Sequence, residues 1–138
     1  MKYEKSCGVI AYKIIDDNIH YLIIQSKNGD VGFPKGHVEE GETEILTAIR
    51  ELKEETNVEV EIIDGFRNQI EYPLPKKPDT QKQAVYYLGK CISDRIICQK
   101  TEVDRAEFIS YNDALEALTF ESTKKVLKEA HRFICKGK

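Results

Sequence analysis

Three glutamates, Glu51, Glu54 and Glu55, stand at positions i, i+3 and i+4 of a predicted helix, so they share one face of it. Like charges at this spacing cost about 0.2–0.5 kcal/mol per pair in an isolated helix. Arg50 relieves part of this repulsion, and a divalent cation would relieve more, because Mg²⁺ prefers carboxylate oxygens and keeps waters that bridge to phosphate. The spacing alone fits two interpretations: a solvated Glu/Lys helix, or a metal-binding face that handles phosphate.

The loop before this helix favours the second interpretation. Pro34 biases Phe33 towards an extended conformation. Gly36 is predicted to adopt an unusual φ/ψ and to bring its carbonyl close to the site. Lys35 and His37 are suitable hydrogen-bond donors to phosphate. A glycine loop that leads into a carboxylate-bearing helix predicts a phosphate–metal site.

The helix itself is predicted over residues 41–56. Its apolar stripe follows i, i+3, i+4, i+7 spacing and consists of Ile45, Ala48, Ile49 and Leu52. At about 100° per residue, the mean direction of the three glutamates lies roughly 120° from that of the stripe. We therefore expect one face of the helix to be buried and another to present the carboxylates, with Glu44 near the acidic face.

The segments around this helix are predicted from residue type and turn chemistry. Strands are predicted over residues 7–15, 20–26, 58–66, 83–92 and 106–110. Turns are predicted at residues 16–18 and 28–30, and the proline-rich residues 72–82 are predicted to form a loop. The first two strands and the turn between them are predicted to form a hairpin.

Two helices are predicted near the C-terminus. Asn112 or Asp113 is expected to cap the first, which ends at about Leu118, and Ser122 is expected to cap the second. The buried stripe of the second helix consists of Val126, Leu127, Ala130, Phe133 and Ile134. The order of elements predicts an α/β (α+β) fold with a mixed β-sheet sandwiched between helices, in a single domain over residues 1–138.

Composition limits the class of protein. The chain has net charge −3 and 33% charged residues, and its pI of about 5.7 argues against a large nucleic-acid-binding surface. No apolar run approaches membrane-spanning length, and the charged N-terminus has no apolar signal core behind it. The four cysteines form no CxxC pair. We therefore expect a cytoplasmic, monomeric protein with reduced thiols.

The segment from Gly36 to Val58 resembles the Nudix box, whose pattern is G-x5-E-x7-R-E-U-x-E-E-x-G-U with U an apolar residue. The chain supplies Glu42 and then RELKEE from Arg50 onward at the required spacing. The one departure is Asn57 where the family has Gly. That position is predicted to end the helix in the αL conformation, where Asn is the next-best residue. The resemblance implies the Nudix fold.

The Nudix resemblance implies a set of metal ligands: the carboxylates of Glu51, Glu54, Glu55 and Glu102, and the carbonyl of Gly36. It also implies that Arg50 orients the carboxylates and that Glu42 sits in the first helical turn and anchors the loop. The implied cofactor is Mg²⁺ or Mn²⁺, and the implied reaction is attack of a metal-activated water on a nucleoside diphosphate linked to another group. Glu54 is favoured as the general base, although the sequence leaves this choice open.

Outside the box, the chain resembles the asymmetric diadenosine tetraphosphate hydrolases in CGVIAY, FPKGHVEEGE, GFRNQIEY, KQAVYYLG and LTFESTKKVLKEAHRFIC. This resemblance implies that Tyr72 and Phe120 stack on an adenine, and that Lys35, His37 and Lys82 contact the polyphosphate. Other interpretations of three of these residues stay open. Phe120 could lie in the core, Tyr72 could pack beside the prolines, and Lys82, like Glu102, could be a solvated surface residue.

The resemblance implies Mg²⁺-dependent hydrolysis of diadenosine tetraphosphate to ATP and AMP, with a small nucleotide as substrate and no long nucleic acid or membrane as partner. A second hypothesis keeps the chemistry but assigns oxidised nucleoside triphosphates or RNA 5′-triphosphate ends as substrates. A third hypothesis, from another class, is a nucleotide-binding regulator without turnover. The presence of all three box glutamates disfavours the regulator.

Overall fold

The computed structural model describes residues 2–136, which form one seven-stranded mixed sheet with three helices. The strands are β1 (Lys2–Ile15), β2 (Asn18–Ser26), β3 (Val31–Gly32), β4 (Lys35–His37), β5 (Glu59–Leu74), β6 (Lys77–Ser93) and β7 (Val103–Ser110). The main strand order is β3-β2-β1-β6-β5, with β4 paired to β1 and β7 paired to β2. The β1–β6 pair is parallel and the other pairs are antiparallel.

The helices cover both faces of the sheet and are α1 (Glu44–Thr56), α2 (Tyr111–Ala117) and α3 (Glu121–Lys136). Alternate residues of β1 divide between two cores. Ile10 and Tyr12 pack on the face that α2 and α3 cover, whereas Val9 and Ala11 pack on the α1 face. A sheet between helices on both faces confirms the predicted α+β class. Among residues 2–136, no helix is both long and apolar enough to cross a membrane.

Several predicted boundaries need correction. The helix predicted from residue 41 begins at Glu44, because the Thr43 hydroxyl accepts a hydrogen bond from the backbone N–H of Leu46 at 3.2 Å. The cap of α2 is Ser110, which accepts from the N–H of Asp113; the assignment of that cap to Asn112 or Asp113 was wrong. The cap assigned to Ser122 was also wrong, because α3 already begins at Glu121.

The proline-rich stretch is a β-hairpin and not the predicted loop. β5 runs to Leu74 and β6 starts at Lys77, so only two residues connect them. Pro73 is tolerated because β5 is the edge strand, where a missing N–H costs no ladder bond on the open side. Pro78 precedes the part of β6 that pairs with β1, which begins at Thr80.

The buried face of α1 also differs from the predicted stripe. Ala48 and Leu52 are buried as expected, but Ile45 is 37% exposed. Thr47 and Glu55 are buried in place of Ile45 and Ile49. The connection from β6 to β7 explains the burial of Glu55, because it covers the last turn of α1.

The end of α1 matches its prediction. Asn57 has φ 68°, in the left-handed region, and its N–H donates to the carbonyl of Lys53 at 2.8 Å. The Asn57 side chain adds a hydrogen bond to the carbonyl of Arg95 at 3.0 Å, which glycine could not make. The αL cap is therefore confirmed, and the asparagine also ties α1 to the β6–β7 connection.

Candidate active site

Strand β4 carries the glycine loop along the sheet and against α1. Gly36 pairs with Cys7 of β1, so its backbone is extended, and the predicted unusual φ/ψ is wrong. Glycine is required for a different reason. A Cβ atom at Gly36 would overlap the carboxyl group of Glu51. The absence of a side chain lets the Glu51 carboxylate lie directly on the backbone of β4.

The guanidinium of Arg50 organises the acidic face. Its Nε and Nη2 donate to both carboxylate oxygens of Glu42, at 2.7 and 3.0 Å. Its Nη1 donates to Glu51 at 2.8 Å and to Glu54 at 3.0 Å, and its Nη2 also donates to the carbonyl of His37 at 3.1 Å. Arg50 therefore fixes two candidate metal ligands relative to the β4 loop.

Glu42 anchors the loop as expected, but it lies before the N-cap Thr43 and not in the first helical turn. Besides its pairing with Arg50, it accepts hydrogen bonds from the N–H of Glu39 at 3.0 Å and from the hydroxyl of Thr47 at 2.9 Å. These bonds, those from Arg50 above all, lower the pKa of Glu42 to about 2. The loop is therefore closed onto the helix by a carboxylate that stays ionised.

Glu55 has the opposite environment. It is 5% exposed, and its Oε2 has no hydrogen-bond partner among the described residues. Burial above all, together with a hydrogen bond with Glu51 and the charges of Glu51 and Glu102, raises its pKa to about 8. Glu51 and Glu102 thus place like charges near Glu55, whose own burial leaves its charge poorly solvated.

The β6–β7 connection brings Glu102 to this cluster from a distant part of the sequence. The N–H of Gln99 donates to the carbonyl of Glu55 at 2.9 Å, and the N–H of Ile97 donates to the carbonyl of Thr56 at 2.9 Å. The carbonyl of Glu102 accepts from the N–H of Lys27 at 3.1 Å. The backbone of Glu102 is therefore tied to the β2–β3 turn. The residue itself lies in a turn and is exposed, so its interpretation as a solvated loop glutamate stays open beside that of a metal ligand.

A cleft of about 420 Å³ lies over these groups, which we call the acidic cleft. Its lining includes candidate donors to phosphate as well as acids: Ser6, Lys35, Gly36, His37, Glu39, Arg50, Glu51, Lys82 and Glu102. Lys82 is only 9% exposed, so its interpretation as a solvated surface lysine is wrong. Burial and the nearby Lys35 lower the pKa of Lys82. Because lysines and carboxylates lie in one cleft, the lysines could bind a polyanion while the carboxylates bind a cation.

The donor chemistry fits a hard divalent metal ion. Glu55 offers a buried oxygen that lacks a partner, Glu51 lies on the β4 backbone, and Glu102 adds like charge. Glu54 is 47% exposed in its side chain and faces Arg50. Within residues 2–136, no three acidic, histidine or cysteine side chains converge closely enough to share one ion in the present arrangement. Arg50 draws Glu51 and Glu54 together and would have to share them with a metal.

A second cleft, of about 470 Å³, adjoins the first, and we call it the aromatic cleft. Tyr72 and Phe120 both line it. Phe120 is 52% exposed, so its interpretation as a core residue is wrong. The Nζ of Lys35 donates to the hydroxyl of Tyr72 at 3.2 Å, and Lys35 lines both clefts. Lys35 therefore marks the junction of an aromatic site and a charged one.

An aromatic residue and two polar turn residues of the aromatic cleft were not predicted from the sequence. Tyr86 lines the cleft and packs edge-to-face on Phe33, with ring centroids 5.9 Å apart. Tyr86 follows Lys82 by four residues in a strand, so both lie on one face, and this spacing could have predicted that Tyr86 belongs to the site. Asn28 and Asp30 also line this cleft, although only their turn chemistry was recognised.

The comparisons with known proteins fit this geometry. Residues 5–130 match the NUDIX domain family. The chain is 30% identical to the rat bis(5′-nucleosyl)-tetraphosphatase [asymmetrical], over 95% of both proteins. It is 31% identical to the RNA pyrophosphohydrolase of Nitratiruptor, over 70% of both. The crystal structure of a C. elegans Ap4A hydrolase binary complex superposes with a TM-score of 0.87 at 25% identity, covering 96% of this chain and 98% of that one.

The chain therefore belongs to the NUDIX domain family. It is a Nudix hydrolase, close to the asymmetrical bis(5′-nucleosyl)-tetraphosphatases in sequence and in fold. Hydrolases of this family generally use a divalent metal ion, and the donor set described above suits one.

Proposed function

We propose that this enzyme hydrolyses dinucleoside polyphosphates, with diadenosine tetraphosphate cleaved to ATP and AMP in the presence of Mg²⁺. The carrying observation is the junction at Lys35, where the aromatic cleft opens into the acidic cleft. A nucleoside in the first cleft would leave its phosphate chain in the second. The similarity to tetraphosphatases over 95% of the chain supports the same substrate class.

We assign the metal to the carboxylates of Glu51, Glu54, Glu55 and Glu102 and the carbonyl of Gly36. A divalent ion held there would lower the pKa of water and polarise phosphoryl oxygens. Arg50 holds Glu51 and Glu54 in place. We assign the general-base role to Glu54, because its carboxylate is the most exposed of the box glutamates and can release to solvent a proton that it accepts from the attacking water.

Basic groups along the acidic cleft would bind the polyphosphate. Lys35, His37 and Lys82 line this cleft and supply the donors that phosphate oxygens require. Lys35 has a further constraint, because the Tyr72 hydroxyl fixes its ammonium group at 3.2 Å. We therefore expect Tyr72 to contribute both through its ring, which stacks on a base, and through its hydroxyl, which orients a phosphate-binding lysine.

The test is product identification on a panel of substrates, with and without Mg²⁺. The panel contains diadenosine tetraphosphate, 8-oxo-dGTP and a short RNA with a 5′-triphosphate, and chromatography separates the products. ATP and AMP in equal amounts from the first substrate, with the highest kcat/KM, would support the proposal. A higher kcat/KM for the RNA would favour RNA 5′-triphosphate ends as the substrate, a hypothesis supported by the similarity to an RNA pyrophosphohydrolase. Binding of these nucleotides without turnover would favour the regulator.

Tyr72→Ala and Phe120→Ala test the aromatic cleft directly. Base–aromatic stacking is worth about 1–3 kcal/mol per base, so each change should raise KM for diadenosine tetraphosphate roughly 5- to 150-fold. The melting temperature of Phe120→Ala should stay close to wild type, because the ring is half exposed. Tyr72→Phe keeps the ring and removes the bond to Lys35, so it separates the two roles of Tyr72. An unchanged KM in both alanine variants would refute the stacking role.

Small nucleotides, and no long nucleic acid or membrane, remain the proposed partners, in keeping with the net charge of −3. The monomeric state and the cytoplasmic location stay predictions. Light scattering of the purified protein tests the first, and fractionation of the source cells tests the second.

A further inference from the structure

The aromatic cleft carries an acidic group that the proposed hydrolysis does not use. Asp30 and Asn28 line this cleft and do not line the acidic one, whereas Lys35 lines both. Within residues 2–136, the Asp30 carboxylate forms no ion pair. The cleft therefore has a cation where it meets the phosphate site and an uncompensated anion within it.

The turn that carries Asp30 is held by its own backbone. The N–H of Ser26 donates to the carbonyl of Asp30 at 2.8 Å, and the N–H of Gly29 donates to the carbonyl of Ser26 at 2.9 Å. The N–H of Asp30 donates to Oδ1 of Asn28 at 3.0 Å. Both backbone polar groups of Asp30 are thus occupied within the turn, and the residue lines the aromatic cleft.

The same turn is fixed relative to one wall of the cleft. The N–H of Val31 donates to Oγ1 of Thr119 at 2.8 Å, and the N–H of Thr119 donates to the carbonyl of Val31 at 3.2 Å. Val31 and Thr119 are the direct chain neighbours of Asp30 and Phe120. The backbone that carries Phe120 is therefore tied to the turn that carries Asp30.

We propose that Asp30 determines base specificity by accepting a hydrogen bond from an amino group of the nucleobase that occupies the aromatic cleft. This inference rests on the proposed function for the identity of the ligand. A carboxylate is acceptor-only and pairs with exocyclic amino groups such as N6 of adenine or N2 of guanine. A base without such a donor would desolvate the carboxylate and leave it unpaired, which is the strongest form of rejection available to a binding site.

The assignment fits the two ends of a nucleotide. The base edge carries partial positive charge on its amino hydrogens, and the phosphates carry full negative charge. Asp30 and Lys35 supply the opposite charges within one cleft. Stacking between Tyr72 and Phe120 would by itself accept any base, since every base has a stacking face. Asp30 would restrict binding to bases that bear an amino group, which include both adenine and guanine.

The test measures binding of AMP and of purine riboside 5′-monophosphate, which lacks only the 6-amino group, by titration calorimetry. Wild type should bind AMP at least about tenfold more tightly, the lower range for a hydrogen bond to a charged group. Asp30→Ala should bring the two dissociation constants within about twofold, chiefly by weakening AMP. Asp30→Asn, which keeps size, should lower the ratio in the same direction. Asp64→Asn, which removes an exposed charge elsewhere on the surface, is the matched control and should keep the wild-type ratio.

Two outcomes would overturn the assignment: equal affinities of wild type for the two nucleotides, or an unchanged ratio in both folded Asp30 variants. Hydrolysis of diadenosine tetraphosphate, assayed on the same samples, separates this inference from the proposed function. If the ratio behaves as expected but no tetraphosphate is cleaved, the proposed function fails and the role of Asp30 stands. If the tetraphosphate is cleaved and the ratio does not respond, only the role of Asp30 fails.

Discussion

Replacing Glu55 by Gln should stabilise the folded enzyme at alkaline pH while it weakens the metal site. Glu55 is 5% exposed and one of its carboxylate oxygens has no partner among the described residues. Gln keeps the shape and removes the charge that burial, Glu51 and Glu102 all oppose. The carboxylate that we propose as a metal ligand is thus destabilising for the folded state.

The size and sign of this effect follow from the pKa of Glu55, which rises from an ordinary 4.5 to about 8. At about 1.36 kcal/mol per pKa unit, this difference sets an upper limit of about 5 kcal/mol. Because relaxation and water penetration reduce the cost of a buried charge, we expect about 2–3 kcal/mol for the single change. A raised pKa means that the folded state holds the proton more tightly. The loss of folding free energy caused by Glu55 is therefore absent below pH 4.5, grows as the pH rises, and is complete above pH 8.

Thermal unfolding without divalent metal, measured from pH 4.5 to 9, tests this reasoning. The melting temperature of Glu55→Gln should exceed that of wild type by roughly 6–15 °C at pH 8.5, and the two should agree near pH 4.5. Glu116→Gln, at an exposed position, is the control and should show no such pH-dependent gap. Added Mg²⁺ should stabilise wild type more than Glu55→Gln, because a ligand stabilises the form that binds it. A Glu55→Gln variant that melts at or below wild type throughout the range would refute the argument.

Three further predictions concern α1 and the strand β4 that packs against it. Glu54→Gln should lower kcat for diadenosine tetraphosphate by at least about 10²-fold with little change in melting temperature, since Glu54 is exposed; near-normal kcat would remove it from the mechanism. Asn57 has φ 68°, so Asn57→Val should lower the free energy of unfolding by about 1–2 kcal/mol. Asn57→Gly should change it by only about a few tenths of a kcal/mol, because the loss of the hydrogen bond to Arg95 offsets the ease with which glycine adopts αL. Equal stabilities of the two variants in denaturant titrations would contradict the proposed αL strain. Gly36→Ala should displace the Glu51 carboxylate and weaken Mn²⁺ binding, measured by electron paramagnetic resonance, at least about tenfold; unchanged Mn²⁺ affinity would show that the close approach is dispensable.

Local patterns predicted those parts of the molecule whose causes are local. The β-branched run that predicts β1, the αL position of Asn57 and the helical spacing of the box glutamates each depend on a few neighbouring residues, and the structure has the strand, the αL residue and the helix. The caps were harder to predict because Ser110, Asn112 and Asp113 are all good capping residues. The end of β7 at Ser110 decides between them, and strand ends are set by pairing with β2.

The features that the sequence could not give are those created by distant segments. The burial of Glu55 depends on the β6–β7 connection, which bonds to the last turn of α1 from more than forty residues away. Helical periodicity predicted that Glu55 is exposed, because the periodicity of one helix contains no information about a distant segment that packs over it. The hairpin through Pro73 was missed because a proline is compatible with a strand only at an edge, and the edge position of β5 is a property of the whole sheet.

The pairing of β4 with β1 affects how the enzyme loosens before it unfolds. Lys35, Gly36 and His37 pair with Gly8, Cys7 and Ser6, and those three residues also pair with β6 on their other side. Amide hydrogens that are bonded within a sheet exchange with solvent only through openings, and the openings of β1 cost the most because β1 is paired on both sides. Strand β4 is paired on one side only, so under native conditions we expect its amides that donate to β1 to exchange with deuterium slowly and its other amides to exchange faster. The bonded side of the glycine loop would resemble the scaffold in its mobility, unlike most loops that bind ligands.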